Sequence, residues 1–145
     1  MTRPPLDAER SNPARTHPRS LRLIVADDER DTVLTLTVIL RHEGHSVKGV
    51  HSGAEVLAAA VEEKPDAVIL DIEMPGQSGY TIAQELRKRF PASQGPLLIA
   101  ISGKWIKPSD RMLAKLAGFD HHLLKPCDPQ RLLDLLAPLR LAFPK

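Results

Sequence analysis

Acids, a hydroxyl and a lysine recur in this 145-residue chain just after short stretches that read as strands. Asp27, Asp28 and Glu29 follow the run Leu21–Ala26, and Asp71 follows 66–70. Ser102 and Gly103 follow 97–101, and Lys125 and Pro126 follow 119–124. They lie far apart along the chain, so any joint chemistry depends on a fold that gathers them. Gathered, they make a hard oxygen-ligand set. Such a set suits Mg2+, which keeps several waters and takes one or two carboxylates together with phosphate oxygens. Without a cation the carboxylates would repel and raise one another's pKa. Lys125 and a metal compensate them. A carboxylate is also a competent nucleophile toward phosphorus. Phosphoryl transfer needs in-line positioning and positive charge around the equatorial oxygens. Mg2+, the Lys125 ammonium, the Ser102 hydroxyl and a backbone N–H of the Ser102–Gly103 turn can supply it.

The elements that must position these groups are legible as hydrophobic rhythm. Leu21–Ala26 reads as a strand, and Asp31–Arg41 as a helix with Val33, Leu36, Thr37 and Leu40 on one face. Gly44 stops that helix, His45–Val50 alternates as a strand, and His51 and Ser52 follow it. Ser52 is placed to cap a helix over 53–64, which Pro65 ends. The run 66–70 is continuous and apolar after its first residue, Asp66, as in a strand buried on both faces. Helices are expected over 80–89 and 109–117, strands over 97–101 and 119–124, and a last helix from Asp128. Pro138 leaves two ends open for it: a stop there, or a kink and continuation to Phe143. Five strands alternating with five helices imply an α/β fold, a doubly wound, mostly parallel sheet covered on both faces. In such a sheet functional groups gather beyond the carboxyl ends of the strands, where strand order reverses.

Composition narrows the class further. The length fits one domain, the single cysteine (Cys127) excludes an internal disulfide and a multi-cysteine metal site, and no apolar run approaches a membrane span. The formal charge of +2 is unevenly placed. Residues 1–20 carry all of it, on four arginines against two acids, while the rest is balanced. That Pro- and Arg-rich stretch is expected to be a disordered tail, with the domain over 21–143. Scattered arginines make a poor nucleic-acid patch, so direct nucleic-acid binding and membrane association are not expected. The expected compartment is the cytoplasm.

Four motifs then carry a resemblance: Ile24-Val25-Ala26-Asp27-Asp28-Glu29, Val68-Ile69-Leu70-Asp71-Ile72-Glu73-Met74-Pro75-Gly76, Ala100-Ile101-Ser102-Gly103, and Leu124-Lys125-Pro126. The chain resembles the CheY-like receiver domains of response regulators over about residues 21–138. From Asp28 to Asp71 there are 43 residues, 31 more to Ser102 and 23 more to Lys125. The resemblance implies a flavodoxin-like sheet of strand order 2-1-3-4-5. It implies that Asp71 is the phosphoacceptor, that Asp27 and Asp28 hold Mg2+, and that Glu73 offers the metal its backbone carbonyl. Ser102 then corresponds to the switch hydroxyl and Lys125 to the lysine that pairs with the phosphoryl oxygen, with a cis bond to Pro126. A sensor histidine kinase or histidine phosphotransfer protein would donate the phosphoryl group, and a downstream protein would read the result. The protein would be a regulatory phosphoacceptor and not an enzyme, standing alone or as part of a longer chain.

Some residues depart from that pattern or stay open. His122 stands where the family usually has a switching Tyr or Phe. It either switches with weaker or pH-dependent coupling, or is a half-exposed histidine without that role. Glu73 and Lys104 lie two residues beyond Asp71 and Ser102, where the family tunes hydrolysis. Paired, they would hinder the attacking water. Trp105 is expected on a partner face or over a core edge. Leu34 and Val38 are expected to contact the donor or a second copy, or to sit exposed. Cys127 reads as a half-buried small hydrophobe. Two other functions remain: an aspartate-nucleophile phosphohydrolase, and a flavodoxin-like binding module.

Overall fold

Short runs that are apolar on both faces can only be satisfied in the middle of a layered structure. The computed structural model, which describes residues 19–104 and 107–141, shows how. In chain order it runs β1 (Arg22–Ala26), α1 (Arg30–His42), β2 (Ser46–Val50), α2 (Gly53–Glu63), β3 (Ala67–Asp71), α3 (Gly79–Arg89), β4 (Leu97–Ser102), α4 (Pro108–Ala117), β5 (His121–Leu124) and α5 (Pro129–Arg140). The five strands form one parallel sheet in the order β2-β1-β3-β4-β5, as expected. The central strand β3 is buried along its whole length.

Side chains alternate across the sheet with period two and so feed two cores. Ile24, Val68, Leu70 and Leu98 pack with Val56, Ile82 and Leu86 of α2 and α3. Val25, Ile69, Ile99 and Ile101 pack with Leu36, Leu40, Leu132 and Leu136 of α1 and α5. The face predicted for α1, with Val33, Leu36, Thr37 and Leu40, is the one buried.

The helix ends follow their caps. Ser52 accepts the Glu55 N–H at 3.3 Å, and Lys64 takes a left-handed conformation (φ 49°) before Pro65 to end α2. Asp128 Oδ1 accepts the Gln130 N–H at 3.0 Å and opens α5. α5 runs through Pro138 to Arg140. A proline this near a helix end forfeits a single hydrogen bond. Leu135 and Leu139 still hold the last turn against the core. The fifth strand starts at His121, not Phe119. Phe119 instead closes α4, its N–H donating to the Ala114 carbonyl at 3.0 Å.

Arg19 and Ser20, counted in the expected tail, are held against the domain. Arg19 is tied down: its N–H donates to the Arg140 carbonyl (2.9 Å), its Nε to the Leu139 carbonyl (3.1 Å), and its Nη2 to Asp66 Oδ1 (3.1 Å). Ser20 Oγ donates to the Gly44 carbonyl at 2.6 Å. Composition counted Arg19 as one more solvated charge. Its use is to satisfy carbonyls that α5 leaves without partners at its C-terminus. The rest of the expected tail, Trp105 and Phe143 lie outside the described residues. Among the described residues, no helix is long and apolar enough to cross a membrane.

Candidate functional site

Strand register does the gathering. Ala26 is level with Leu70, so the residues that follow them, Asp27 and Asp71, emerge side by side. Asp71 is level with Ile101, and Ser102 with Leu124, which brings Ser102 and Lys125 to the same edge. The loop 72–78 folds back so that α3 starts against the end of β3, with Gly79 N–H donating to the Ile72 carbonyl at 2.8 Å. Gly79 permits this, because a Cβ there would come within 2.6 Å of Ile72 Cα and 2.8 Å of the Asp71 carbonyl oxygen.

Two of the acids are deep. Asp27 is fully buried and Asp71 is 1% exposed, while Asp28 is exposed at the rim. Oxygens from the three carboxylates lie within 4.8 Å of one another, close enough to share one cation. Lys125 Nζ sits among the acids, 2.7 Å from Asp27 Oδ2, 2.9 Å from Glu29 Oε1 and 3.3 Å from Asp71 Oδ2. Each buried carboxylate also receives one backbone donor. Glu29 N–H donates to Asp27 Oδ1 at 2.9 Å, and Glu73 N–H donates to Asp71 Oδ1 at 3.0 Å.

Charges in this pocket are shifted by burial and by one another. Burial pushes the Asp27 carboxyl up, against the Lys125 contact and the Glu29 N–H, and the Asp71 charge adds to the rise. Burial alone would push the Lys125 ammonium down. Its close ionic contacts with Asp27 and Glu29 and the charge of Asp71 win, so it is held above its ordinary value. The pocket therefore keeps a permanent cation beside Asp71.

The cation-site residues fit a divalent ion on their own terms. Three carboxylates converge, and buried Asp27 Oδ2 has Lys125 as an ionic neighbour but no well-directed hydrogen-bond donor among the described residues. An acidic oxygen in that condition suits a metal's inner or water-filled shell.

A second group of contacts lies beside the first. Ser102, 2% exposed, donates its hydroxyl to Glu73 Oε1 at 3.2 Å, and Gly103 N–H donates to the same oxygen at 3.3 Å. Lys104 Nζ lies 3.1 Å from Glu73 Oε2. Burial would raise the Glu73 carboxyl, but Lys104, Ser102 and the Gly103 N–H hold it below the usual range. The expected Glu73–Lys104 pair is thus present, and it carries Ser102 with it.

Other expected residues fall nearby or elsewhere. His51 turns Nδ1 to the Asp27 carbonyl oxygen at 3.1 Å, and Ser52 serves only as the cap. His122 is half-buried, and its Nε2 has no partner among the described residues. Burial and the Arg111 charge push its pKa down. It lines a cleft of about 290 Å3 with Arg111, Leu124, Asp128 and Arg131, away from Asp71. Cys127 is half-buried, and burial pushes its thiol up to about 11, as suits a packed thiol and not a reactive one. The Lys125–Pro126 bond is cis. Leu34 and Val38 are exposed on α1.

Glu29 is the functional contact that the sequence did not assign. It directly precedes α1, where an acid serves helix ends by default. Its side chain makes no cap hydrogen bond and goes to Lys125 instead. The adjoining Asp27-Asp28-Glu29 run was the only signal, and it could not say which acid reached across.

The family model for the response regulator receiver domain matches residues 23–137. The protein PilH of Pseudomonas aeruginosa is 33% identical over 112 residues, covering 77% of this chain and 91% of PilH. The sensory/regulatory protein RpfC of Xanthomonas campestris is 34% identical over 132 residues, covering 89% of this chain but only 18% of RpfC. The solved CheY-like receiver domain protein of Methanospirillum hungatei superposes with a TM-score of 0.75 at 23% identity, covering 83% of this chain and 94% of that one. That last likeness shows the fold.

Proposed function

The chain belongs to the response regulator receiver domain family of two-component signalling, and from that premise we propose that Asp71 takes a phosphoryl group from a phosphohistidine donor. One observation carries the reading. A recessed carboxylate, Asp71, is bracketed by a buried ammonium 3.3 Å away and by two further carboxylates able to hold a cation.

In the proposed step an Asp71 carboxylate oxygen attacks phosphorus in line. The Asp71–phosphorus bond forms as the phosphorus–nitrogen bond to the donor histidine breaks, and the electron pair leaves with the imidazole. Lys125 is already beside Asp71 Oδ2 and pairs with the incoming phosphoryl oxygens. Ser102 Oγ–H and Gly103 N–H are the other donors on that edge. Asp27, Asp28, Asp71 and the Glu73 backbone carbonyl would hold Mg2+. When bound, Mg2+ supplies charge neutralisation between these acids and the phosphoryl oxygens.

Glu73 and Lys104 are proposed to tune the lifetime of the phosphoryl group, and His122, on β5, to switch with Ser102. The donor would be a sensor histidine kinase or phosphotransfer protein, with the exposed Leu34 and Val38 of α1 available to it or to a second copy. A downstream protein partner would read the switched face, and the work belongs in the cytoplasm where such donors meet Mg2+. The role is regulatory. A phosphohydrolase of the aspartate-nucleophile type would need a proton-shuttling acid two residues beyond Asp71. Glu73 stands there, but it is held ionised by Lys104, Ser102 and Gly103. A flavin-phosphate site is disfavoured because acids, which repel phosphate unless a metal intervenes, follow β1 in place of a Ser/Thr-rich phosphate loop.

Acetyl phosphate with Mg2+ tests the reading by intact mass. One phosphoryl group added to the wild type and none to Asp71→Ala supports it. Repeated turnover of generic phosphate esters without a stable adduct would favour the hydrolase.

A further inference from the structure

The donors that face a phosphoryl group at the end of β4 already have an occupant. Ser102 Oγ–H and Gly103 N–H both point at one oxygen of the Glu73 carboxylate, at 3.2 and 3.3 Å. The other oxygen of that carboxylate meets Lys104 Nζ at 3.1 Å. The Lys104 N–H in turn donates to Ser102 Oγ at 3.2 Å, which leaves the hydroxyl proton free for Glu73. A hydroxyl, a backbone amide and an ammonium around one anion are the kind of set that phosphoryl oxygens require. The carboxylate occupying it comes from the loop directly after the phosphoacceptor strand.

We propose that the Glu73 side chain is an internal competitor for the phosphoryl group: it latches Ser102 and Gly103 while Asp71 is free, and must release them before the switch engages. This rests on Asp71 being the phosphoacceptor. The two contacts to the end of β4 carry the latch. Lys104 is largely exposed and adds little by itself, as exposed ion pairs generally do. Glu73 is about one-third exposed, so its carboxylate can swing outward without opening the core. The phosphoryl group therefore gains Ser102 and Gly103 only by displacing an anion. That sets the threshold for switching in this chain's own sequence, through a side chain separate from the backbone carbonyl proposed for Mg2+.

The test is the affinity of the full chain for beryllofluoride with Mg2+, by calorimetry, with the Ser102 and Gly103 amides followed by NMR. Glu73→Ala is expected to bind about tenfold tighter than the wild type, the scale of a hydrogen bond to a charged group. Glu73→Gln, which keeps an acceptor without charge, falls between them and carries the test if Glu73→Ala does not fold. The Gly103 amide of the unliganded variant should move. Loss of simple repulsion between anions would also tighten binding, but that effect fades at 1 M salt, where the screening length is about 3 Å. A gain that persists at 1 M salt supports the latch. Equal affinities for wild type and Glu73→Ala, or a gain abolished by salt, overturn it. If neither protein binds beryllofluoride, the phosphoacceptor reading fails and the latch with it.

Discussion

Lys125→Met offers the sharpest probe of how the site is held. The substitution keeps the length and apolar body of the side chain and removes its charge. Asp27 and Asp71 are almost fully buried, and the Lys125 side chain is only 16% exposed. Breaking a buried pair by removing one partner costs about 3 kcal/mol or more, because the remaining charge has no compensation. Glu29 is mostly exposed and contributes little of this. The melting temperature in EDTA should fall by roughly 10–15 °C for a domain of this size. The pH dependence has a defined sign. Burial already holds Asp27 above its ordinary value, and loss of Lys125 raises it further. A carboxyl raised in the native state binds more protons there than in the unfolded chain, so stability drops as pH rises through the folded value. The variant should therefore be closer to wild type at pH 5 than at pH 7. Two rescues separate electrostatics from lost packing. At one fixed Mg2+ concentration the variant should gain more stability than wild type, because its uncompensated acids bind the ion more tightly; a hundredfold excess over a dissociation constant is worth about 2.7 kcal/mol. Adding Asp71→Asn should restore part of the loss without metal. Thermal and urea unfolding at both pH values would measure this. A variant as stable as wild type in EDTA, or a loss untouched by Mg2+, pH and Asp71→Asn, would refute the view that Lys125 neutralises the buried acids.

Other outcomes follow from the same contacts. Glu73→Ala with Lys104→Ala should lose its phosphoryl group faster than wild type, read as decay of the phosphorylated mass; equal decay rates would dismiss the pair as a brake on water. His45 is buried with Nδ1 accepting the Leu21 N–H at 3.1 Å, and burial pushes its pKa down, as it does for His122. Both favour the neutral ring in the fold. Their stabilisation is complete above the unfolded value near pH 6.5 and is lost as pH falls through the lower folded values, so unfolding curves at pH 7.5 and 5.5 should differ, and less so in His45→Gln. Gly79→Ala should lose roughly 1–3 kcal/mol, because its Cβ would meet backbone and not a flexible side chain; an unchanged urea midpoint would contradict that. NMR of His122 with and without beryllofluoride checks its switching role, and identical ring spectra in both states would end it.

Most of the fold could be read because its signals are local and agree with one another. The run at β3 has no polar residue before Asp71, and Gly44, Ser52 and Pro65 mark ends that the structure honours. The site residues were legible because each stands at a strand's carboxyl end, and parallel register converts that position into proximity. What escaped depends on reach across elements. Glu29 looked like a helix-end acid until Lys125, 96 residues away, was seen beside it. Arg19 looked like tail until α5 supplied carbonyls for it 120 residues away. The Glu73–Ser102 contact was hidden because sequence paired Glu73 with Lys104 by charge, and charge says nothing of a neutral hydroxyl. Pro138 gave an ambiguous signal because its effect depends on how many turns follow it and on what Leu139 packs against.

Borohydride trapping tests the central claim most directly. Hydride reduces an aspartyl phosphate to homoserine with release of phosphate, and leaves a free carboxylate untouched. After treatment with acetyl phosphate and Mg2+, peptide mapping should find homoserine at position 71 alone, and none when Mg2+ is chelated. Homoserine at Asp27 or Asp28 in place of Asp71, or full phosphorylation of Asp71→Asn, would contradict the account.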